Sequence, residues 1–270
     1  MEIENKAERE AEEKMHRLLA KLYITHSRYH SLFPKRSDSR HILDCSVASV
    51  SHKRKKINEK LVAMEFLKDS KNIILGYDKT SERGDINFAD ASEPKISDFY
   101  YNKLTGGLGG IACFDDGRYV IVADKKGVFA WVDLSKGPNI DDIKANSMQT
   151  NFEGVLDISL SPFQTKLACG NSENKCLILD LGKEKMKQIP ALSKKLSGHS
   201  YSVNCVNWHP FKSLVLSSSL DTNDMVKVWD PYTEQLVKEI NLHHKVSVTK
   251  SYFHPNGNTF FSIGKDNTGY

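Results

Sequence analysis

The sequence predicts an all-β fold built from a repeated unit of four short strands. From Leu61 onward, runs of four to eight residues rich in Val, Ile, Leu and aromatic residues alternate with turn residues, as in RYVIVA, KCLILD and VNCVNW. Runs of this kind, bounded by Gly, Asn, Asp, Ser or Pro, are typical of β-strands. No convincing helical pattern lies between them, which argues against a parallel α/β sheet.

Two independent markers recur along residues 61–270 with nearly the same period. The first is a turn between two strands, which recurs every 45 to 48 residues, at Lys68, Asp116, Pro162, Pro210 and Pro255. The second is an acidic residue that closes the third strand, at Asp90, Asp133, Asp180 and Asp230. A period of about 40–50 residues with four short strands is the signature of a β-propeller blade. We therefore expect a β-propeller, with four blades and the start of a fifth in this chain.

The N-terminal residues differ from this pattern. Residues 5–24 contain no Gly or Pro, and apolar residues such as Met15, Leu18 and Leu22 recur at helical spacing, which predicts a helix within residues 1–26. Residues 27–60 show no sustained period and are expected to form a basic connector. The strand-rich domain is assigned to residues 61–270.

Charge is concentrated before the strands. Residues 14–60 carry twelve Lys or Arg against three acidic residues, although the whole chain has a net charge of only +4. A basic segment beside a nearly neutral body is the layout expected of a protein that meets a polyanion at one place. On charge alone, a solvated leader with no specific partner is an equally good interpretation.

Composition argues against several classes of protein. No apolar run approaches the roughly 18 residues that span a bilayer, and the first residues lack the basic-then-apolar order of a secretory signal. The five cysteines are scattered and include no Cys-x-x-Cys pair, so we expect neither a disulfide framework nor a metal site. A Gly-rich phosphate loop and a carboxylate pair beside a nucleophile are both missing, so we expect no enzyme activity, no cofactor and no small-molecule substrate.

The fourth unit carries a complete WD-repeat signature. Gly198-His199 opens it, the strands VNCVNW and LSSS follow, and Trp229-Asp230 ends its third strand. We expect a structural hydrogen-bonded tetrad of His199, Asp221, Trp229 and a serine, Ser217 or Ser219, of which Ser219 is our choice. Catalysis by His199 with a nearby serine is the less favoured alternative, because the repeat already explains both residues.

The other units depart from that signature. Trp131 lies 98 residues before Trp229, two units away, and is expected to occupy the same position in the second unit. The third unit has KCLILD and no tryptophan. The fifth begins normally, because His244 precedes Pro255 by the same eleven residues that separate His199 from Pro210.

Residues 196–267 resemble one WD-repeat family in particular, the WD-repeat subunit of the pre-mRNA cleavage and polyadenylation specificity factor. Asp221 and Trp229 are eight positions apart, two more than in a standard blade, and that family carries an insertion of the same length there. The WDP-x-T turn at 229–233 and the Asn-Gly-Asn turn at 256–258 also match the family. More weakly, the segment SHKRKKINEKLV resembles the basic segment before the family's first blade.

This resemblance implies a non-enzymatic nuclear protein of mRNA 3′-end processing. Members of that family recognise the AAUAAA polyadenylation signal together with a zinc-finger subunit and a large propeller scaffold. Clustered Lys and Arg neutralise phosphates, and aromatic rings stack on unpaired bases. The candidate RNA-binding residues are Tyr29, Phe33, Lys35, Arg36, Lys53, Arg54, Lys55 and Lys56.

Other interpretations remain open at this stage. RNA contact is the favoured interpretation of the basic run HKRKK, and a nuclear import signal or a solvated strand edge are its alternatives. A generic WD-repeat scaffold or adaptor without RNA contact is the alternative function. Propellers of the resembling family have seven blades, so we also expect this sequence to be a fragment of a longer chain or to have a partner that covers an open sheet edge.

Overall fold

The computed structural model of the chain is all-β throughout the part that it describes. That part comprises residues 60–66, 72–80, 83–90, 96–101, 104, 106–114, 118–134, 146–152, 154–182, 191–220, 226–241 and 247–265. The predicted helix within residues 1–26 and nearly all of the connector lie outside the described residues. The described strands belong to one compact unit, residues 58–210 and 214–270.

The strands form five antiparallel sheets in chain order. Sheet 1 consists of β1 (Lys60–Phe66), β2 (Asn72–Thr80), β3 (Arg83–Asp90) and β4 (Ile96–Tyr101). Sheet 2 consists of β5 (Leu108–Cys113), β6 (Tyr119–Asp124), β7 (Val128–Asp133) and β8 (Asn146–Gln149). Sheet 3 consists of β9 (Val155–Leu160), β10 (Lys166–Asn171), β11 (Lys175–Asp180) and β12 (Ala191–Ser197). Sheet 4 consists of β13 (Val203–Trp208), β14 (Val215–Ser219), β15 (Val226–Asp230) and β16 (Gln235–Ile240), and sheet 5 of β17 (Val248–Phe253) and β18 (Phe260–Gly264).

The repeat predicted from the sequence is confirmed. Every predicted turn position falls between the first and second strands of its sheet. Each of the four marker acids is the last residue of the third strand in its sheet, as Asp133 is in β7 and Asp230 in β15. Asp230 is itself buried, and its carboxylate accepts hydrogen bonds from the N–H groups of Tyr232 and Thr233 in the turn that follows. A carboxylate immediately before a turn commonly binds nearby backbone in this way.

Successive sheets stack through their first strands. β1 contacts β5, β5 contacts β9, β9 contacts β13, and β13 contacts β17. A separate apolar cluster fills each gap: Ile74 and Leu108 lie between sheets 1 and 2, and Trp131 and Leu177 between sheets 2 and 3. Face-to-face stacking of small antiparallel sheets around their first strands is the arrangement of a β-propeller.

Each first strand contains a bulge at the same place. The pairing with the second strand skips one residue, which is Val62, Gly109, Leu156, Asn204 or Thr249. A bulge bends its strand and increases the local twist. The repeated bulge therefore gives the five first strands a common shape.

Two glycines allow the sheets to approach closely. A Cβ atom on Gly109 would lie 2.5 Å from the carbonyl oxygen of Val155, at the start of the next first strand. A Cβ atom on Gly170 would lie 2.5 Å from the carbonyl oxygen of Val203. Backbone meets backbone at both places, so a larger residue would force the two sheets apart.

The prediction that Trp131 occupies the position of Trp229 is wrong by one residue. Asp133 and Asp230 end equivalent strands, so Val132 is the equivalent of Trp229. Trp229 packs towards sheet 3, the preceding sheet, whereas Trp131 packs in the cluster shared with sheet 3, the following sheet. Neighbouring residues of a strand point to opposite faces, so a shift of one position changes the face.

Candidate functional site

A buried hydrogen-bonded chain joins three of the signature side chains in sheet 4. Trp229 Nε1 donates a hydrogen bond of 2.7 Å to Ser217 Oγ. The same oxygen lies 2.6 Å from Nε2 of His199, and the histidine tautomer decides which of the two donates. The His199 and Trp229 rings also meet edge to face, with their centroids 6.0 Å apart. These hydrogen bonds connect the segment before β13 to β14 and β15, the second and third strands of sheet 4.

The serine that binds His199 and Trp229 is Ser217, whereas the serine chosen from the sequence was Ser219. Both side chains are fully buried, but Ser219 Oγ donates to the carbonyl oxygen of Tyr201 at 3.0 Å. The difference follows from strand geometry, because residues two apart on β14 share a face but lie about 7 Å apart along the strand. Asp221, the fourth member of the predicted tetrad, lies outside the described residues.

The His199–Ser217 contact has the residue types of a nucleophile and its base, but its setting is structural. Ser217 Oγ has no exposed surface, and it is already bound by the indole of Trp229. A nucleophile needs room beside its oxygen for the reacting carbon and for donors that stabilise the developing charge. The described arrangement supplies a rigid link between strands instead.

Carboxylate and amide side chains hold the turns between second and third strands in sheets 2 and 3. Asp124 accepts hydrogen bonds from the backbone N–H groups of Gly106, Lys126 and Val128, at 2.8 to 3.0 Å. Asn171 Oδ1 accepts from the N–H groups two and four residues further on. Neither residue was among the candidates predicted from the sequence. The available signal was an Asp or Asn immediately before a turn, the position where such side chains bind nearby backbone.

Side chains also link the first strand of one sheet to the first strand of the next. From sheet 3 to sheet 4, Val206 N–H donates to Asp157 Oδ2 at 3.0 Å, and Trp208 N–H donates to Ser159 Oγ at 3.2 Å. From sheet 4 to sheet 5, Phe253 N–H donates to Asn207 Oδ1 at 2.9 Å. The first strand is the edge of its own sheet, so its outward N–H groups need acceptors from elsewhere.

Two further contacts of the same kind join sheets 4 and 5. Cys205 Sγ lies 3.3 Å from the carbonyl oxygen and 3.4 Å from the amide nitrogen of Ser251. Burial is the main cause that raises the pKa of the Cys205 thiol to about 12. The thiol therefore stays protonated at neutral pH and acts as a weak hydrogen-bonding group, not as a nucleophile.

Exposed apolar side chains lie on the outer strand of sheet 4. All of β16 from Gln235 to Glu239 is exposed, and Leu236 and Val237 keep 43% and 56% of their surface. Nearby, Lys194 on β12 forms a 2.9 Å ion pair with Glu234, which joins the outer strand of sheet 3 to the turn before β16. An exposed edge strand with apolar side chains is a surface suited to binding another protein.

The eight candidate RNA-binding residues, from Tyr29 to Lys56, lie outside the described residues. Over the described ranges, no group of three or more His, Cys, Asp or Glu side chains is placed to hold a metal ion. Cys113, Cys169, Cys176 and Cys205 are all free thiols. No helix in the described part of the chain has the length and hydropathy needed to cross a bilayer.

Comparison with known proteins agrees with the geometry of sheet 4. The family model "WD domain, G-beta repeat" matches residues 191–230, which correspond to β12 and the first three strands of sheet 4. The matched repeat is therefore offset by one strand from the sheet, so that this match spans sheets 3 and 4. WD40 repeats are typically non-catalytic and mediate contacts between proteins.

Three curated relatives illustrate how far the similarity extends. Polyadenylation factor subunit 2 of Gibberella zeae is 39% identical over 62 residues, which is 23% of this chain and 10% of that protein. Coronin-2A of Bos taurus is 33% identical over 119 residues, 42% of this chain and 22% of that protein. Actin-interacting protein 1 of Drosophila melanogaster is 33% identical over 113 residues, 42% of this chain and 17% of that protein. The chain thus spans less than a quarter of the length of each of these relatives, and it carries a WD40 repeat within an all-β array of stacked four-stranded sheets.

Proposed function

We propose that this chain is a non-catalytic scaffold that binds other macromolecules through its WD40-repeat sheets. The observation that carries this proposal is where the side chains of sheet 4 lie: the polar ones bind one another inside, and apolar ones are exposed. His199, Ser217 and Trp229 bind one another inside the sheet, whereas the apolar side chains of β16 face outward. The polar side chains that could carry out chemistry thus stabilise the fold, and the exposed surface is available to bind partners.

We further propose that the scaffold serves mRNA 3′-end processing as an RNA-binding subunit that helps recognise an AAUAAA-type polyadenylation signal. Two features support this: the similarity of one region to polyadenylation factor subunit 2, and the twelve basic residues within 14–60. In this proposal the run from Lys53 to Lys56 contacts RNA phosphates, and Tyr29 and Phe33 stack on bases. The partners are a zinc-finger subunit and a large propeller scaffold, and the protein acts in the nucleus.

RNA binding is tested with a short single-stranded RNA that contains AAUAAA and with the full chain, with and without the zinc-finger partner. The variant replaces Lys53, Arg54, Lys55 and Lys56 with alanine. The matched control removes the same charge from the described sheets, at the exposed residues Lys126, Lys195, Lys238 and Lys265. If each leader residue binds one phosphate, the slope of log affinity against log salt falls by about 3 in the leader variant, at roughly 0.7 per contact for a single strand. Equal slopes in both variants would refute contact by the leader.

A second candidate is a scaffold in an actin-linked assembly. It is favoured by one observation: the alignment with actin-interacting protein 1 covers 42% of this chain, against 23% for the polyadenylation factor subunit. Cosedimentation of the full chain with filamentous actin discriminates the two candidates. Saturable sedimentation with actin, together with weak and sequence-independent RNA binding, would favour this second function.

A further inference from the structure

The bulges allow equivalent positions of the five sheets to be compared residue by residue. In sheets 1 to 4, the third residue after the one skipped at the bulge pairs with Ile74, Ile121, Ala168 or Leu216 on the second strand. All four are fully buried, each in the apolar cluster between its own sheet and the next. In sheet 5 the equivalent residue is Phe261, and 50% of its surface is exposed.

Phe261 is part of an exposed apolar face of sheet 5. Tyr252 lies directly opposite it on β17, and Ile263 lies two residues further along β18; both are exposed. Side chains that are directly opposite, or two residues apart, share one face of an antiparallel sheet. These three residues define the sheet 5 end face. It points away from sheet 4, because the neighbouring residues Phe253 and Phe260 pack against sheet 4.

Sheet 1 has an uncovered position of the complementary kind at the other end of the stack. In sheets 2 to 5, the second residue after the skipped one is Ile111, Ile158, Val206 or Ser251, and all four are buried. The first three pack in the cluster shared with the preceding sheet. In sheet 1 the equivalent residue is Met64, and 56% of its surface is exposed. Met64 and its partner on β2, the partly buried Leu75, define the sheet 1 end face.

The existing junctions indicate how these two end faces fit together. At the junction of sheets 1 and 2, a Cβ atom on Gly76 would lie 2.7 Å from Ile111 Cδ1. Ile263 is the equivalent of Gly76, and Met64 is the equivalent of Ile111, so the same junction places Ile263 against Met64. Ile263 is larger than the residues at its position in the other sheets, which are Gly76, Ala123, Gly170 and Ser218. Methionine is unbranched and flexible, so it adjusts to that bulk.

We propose that the chain associates head to tail with a second copy of itself, so that the sheet 1 end face of one copy covers the sheet 5 end face of the other. Phe261 and Met64 are about half exposed at positions that are buried wherever a sheet has a neighbour on that side. A second copy is the occupant because the chain carries both halves of the junction, and within one copy they leave each other exposed. A contact between two different surfaces continues into rings or chains of copies. This association does not depend on whether the scaffold binds RNA or protein.

The test measures the mass of the full chain by analytical ultracentrifugation over a range of concentrations. The wild-type mass should exceed that of one chain and rise with concentration. Phe261→Glu and Met64→Glu should each weaken the association at least about tenfold, because each places an unpaired carboxylate in an apolar contact. Val237→Glu is the matched control: Val237 is as exposed as Met64 but lies on β16, so this change should leave the association unaltered. Far-ultraviolet circular dichroism checks that each variant is folded.

An equimolar mixture of the two weakened variants identifies the surfaces that meet. Phe261→Glu keeps its sheet 1 end face and Met64→Glu keeps its sheet 5 end face, so the mixture should form pairs of chains that grow no further with concentration. A wild-type chain that sediments as one copy at every soluble concentration, or a mixture without pairs, would overturn the proposal. If that single copy is also destabilised to urea by Phe261→Glu, another part of the same chain covers the face. An association that is weakened by Phe261→Glu but not by Met64→Glu would also refute head-to-tail contact, because two sheet 5 end faces would then meet.

Discussion

Replacement of Ser217 by alanine removes the oxygen to which Trp229 donates and with which His199 shares a proton. Both contacts are short, 2.7 and 2.6 Å, and all three side chains are buried. A buried polar group that loses its partner costs about 1–3 kcal/mol. With two groups affected, we expect Ser217→Ala to lower the free energy of unfolding by about 2–4 kcal/mol.

The next two residues of β14 provide matched controls, because Ser217, Ser218 and Ser219 are all fully buried serines. Within the described residues, Ser218 Oγ has no hydrogen-bond partner, so Ser218→Ala removes a buried unpaired hydroxyl and should leave stability unchanged or raise it slightly. Ser219→Ala removes a hydrogen bond to the Tyr201 carbonyl and should cost about 1 kcal/mol. The expected order of destabilisation is therefore 217, 219, 218.

The assay is equilibrium urea unfolding followed by far-ultraviolet circular dichroism at constant pH. A double-mutant cycle with Trp229→Phe, which removes the indole N–H, isolates the Ser217–Trp229 term. Groups in direct contact typically couple by 0.5–3 kcal/mol. Equal losses for all three serine variants, or no coupling between Ser217 and Trp229, would show that the buried chain of hydrogen bonds does not stabilise sheet 4.

The remaining predictions concern the contacts between and at the ends of sheets, and each is measured as a change in unfolding free energy. Gly170→Ala should destabilise by about 2–3 kcal/mol, because the new Cβ would lie 2.5 Å from a carbonyl oxygen of the next sheet; a neutral result would mean that the sheets separate freely. Lys250→Met should cost about 2–3 kcal/mol at pH 7, since it leaves the largely buried Asp157 without its cation; equal stability would show that solvent replaces the lysine. Arg118→Ala should cost less than about 1 kcal/mol, because the 3.0 Å pair with Asp133 leaves the arginine 52% exposed; a larger loss would point to its stacking on Tyr119.

The sequence was sufficient to predict the strand order and the repeat. Apolar runs broken by turn residues respond to local rules, and Asp133, Asp180 and Asp230 end their strands as the pattern required. The WD-repeat interpretation of the fourth unit is supported by the match over residues 191–230. These features depend on interactions within one sheet, and all strands of one sheet lie within a short stretch of the sequence.

The sequence alone did not determine the register of the third strands, that is, which residue of one third strand is equivalent to Trp229 in another. Spacing placed Trp131 two repeats before Trp229, yet the structure sets Val132 in that position because loops of different length separate the markers. One residue of error reverses the face of a strand. Counting back from the closing acid, instead of from the tryptophan, would have given the correct assignment.

The sequence alone also did not reveal the hydrogen bonds and the ion pair that link one sheet to another. Asp157 and Lys250 are 93 residues apart, and Asn207 meets Phe253 over 46 residues. Nothing local distinguishes an aspartate in the middle of VLDISL from an exposed residue of an ordinary strand. Its role depends on which strand lies beside it, and that is decided by the stacking of whole sheets.

These links also bear on how far the repeats are interchangeable. The Val206 amide meets a carboxylate, the Phe253 amide meets a carboxamide, and Ser251 meets a thiol. The junction between sheets 3 and 4 and the junction between sheets 4 and 5 thus use different acceptor groups, although the sheets themselves are alike. A chimera that exchanges sheets 3 and 4 would keep every sheet intact, but the donors and acceptors at the junctions between sheets would no longer match.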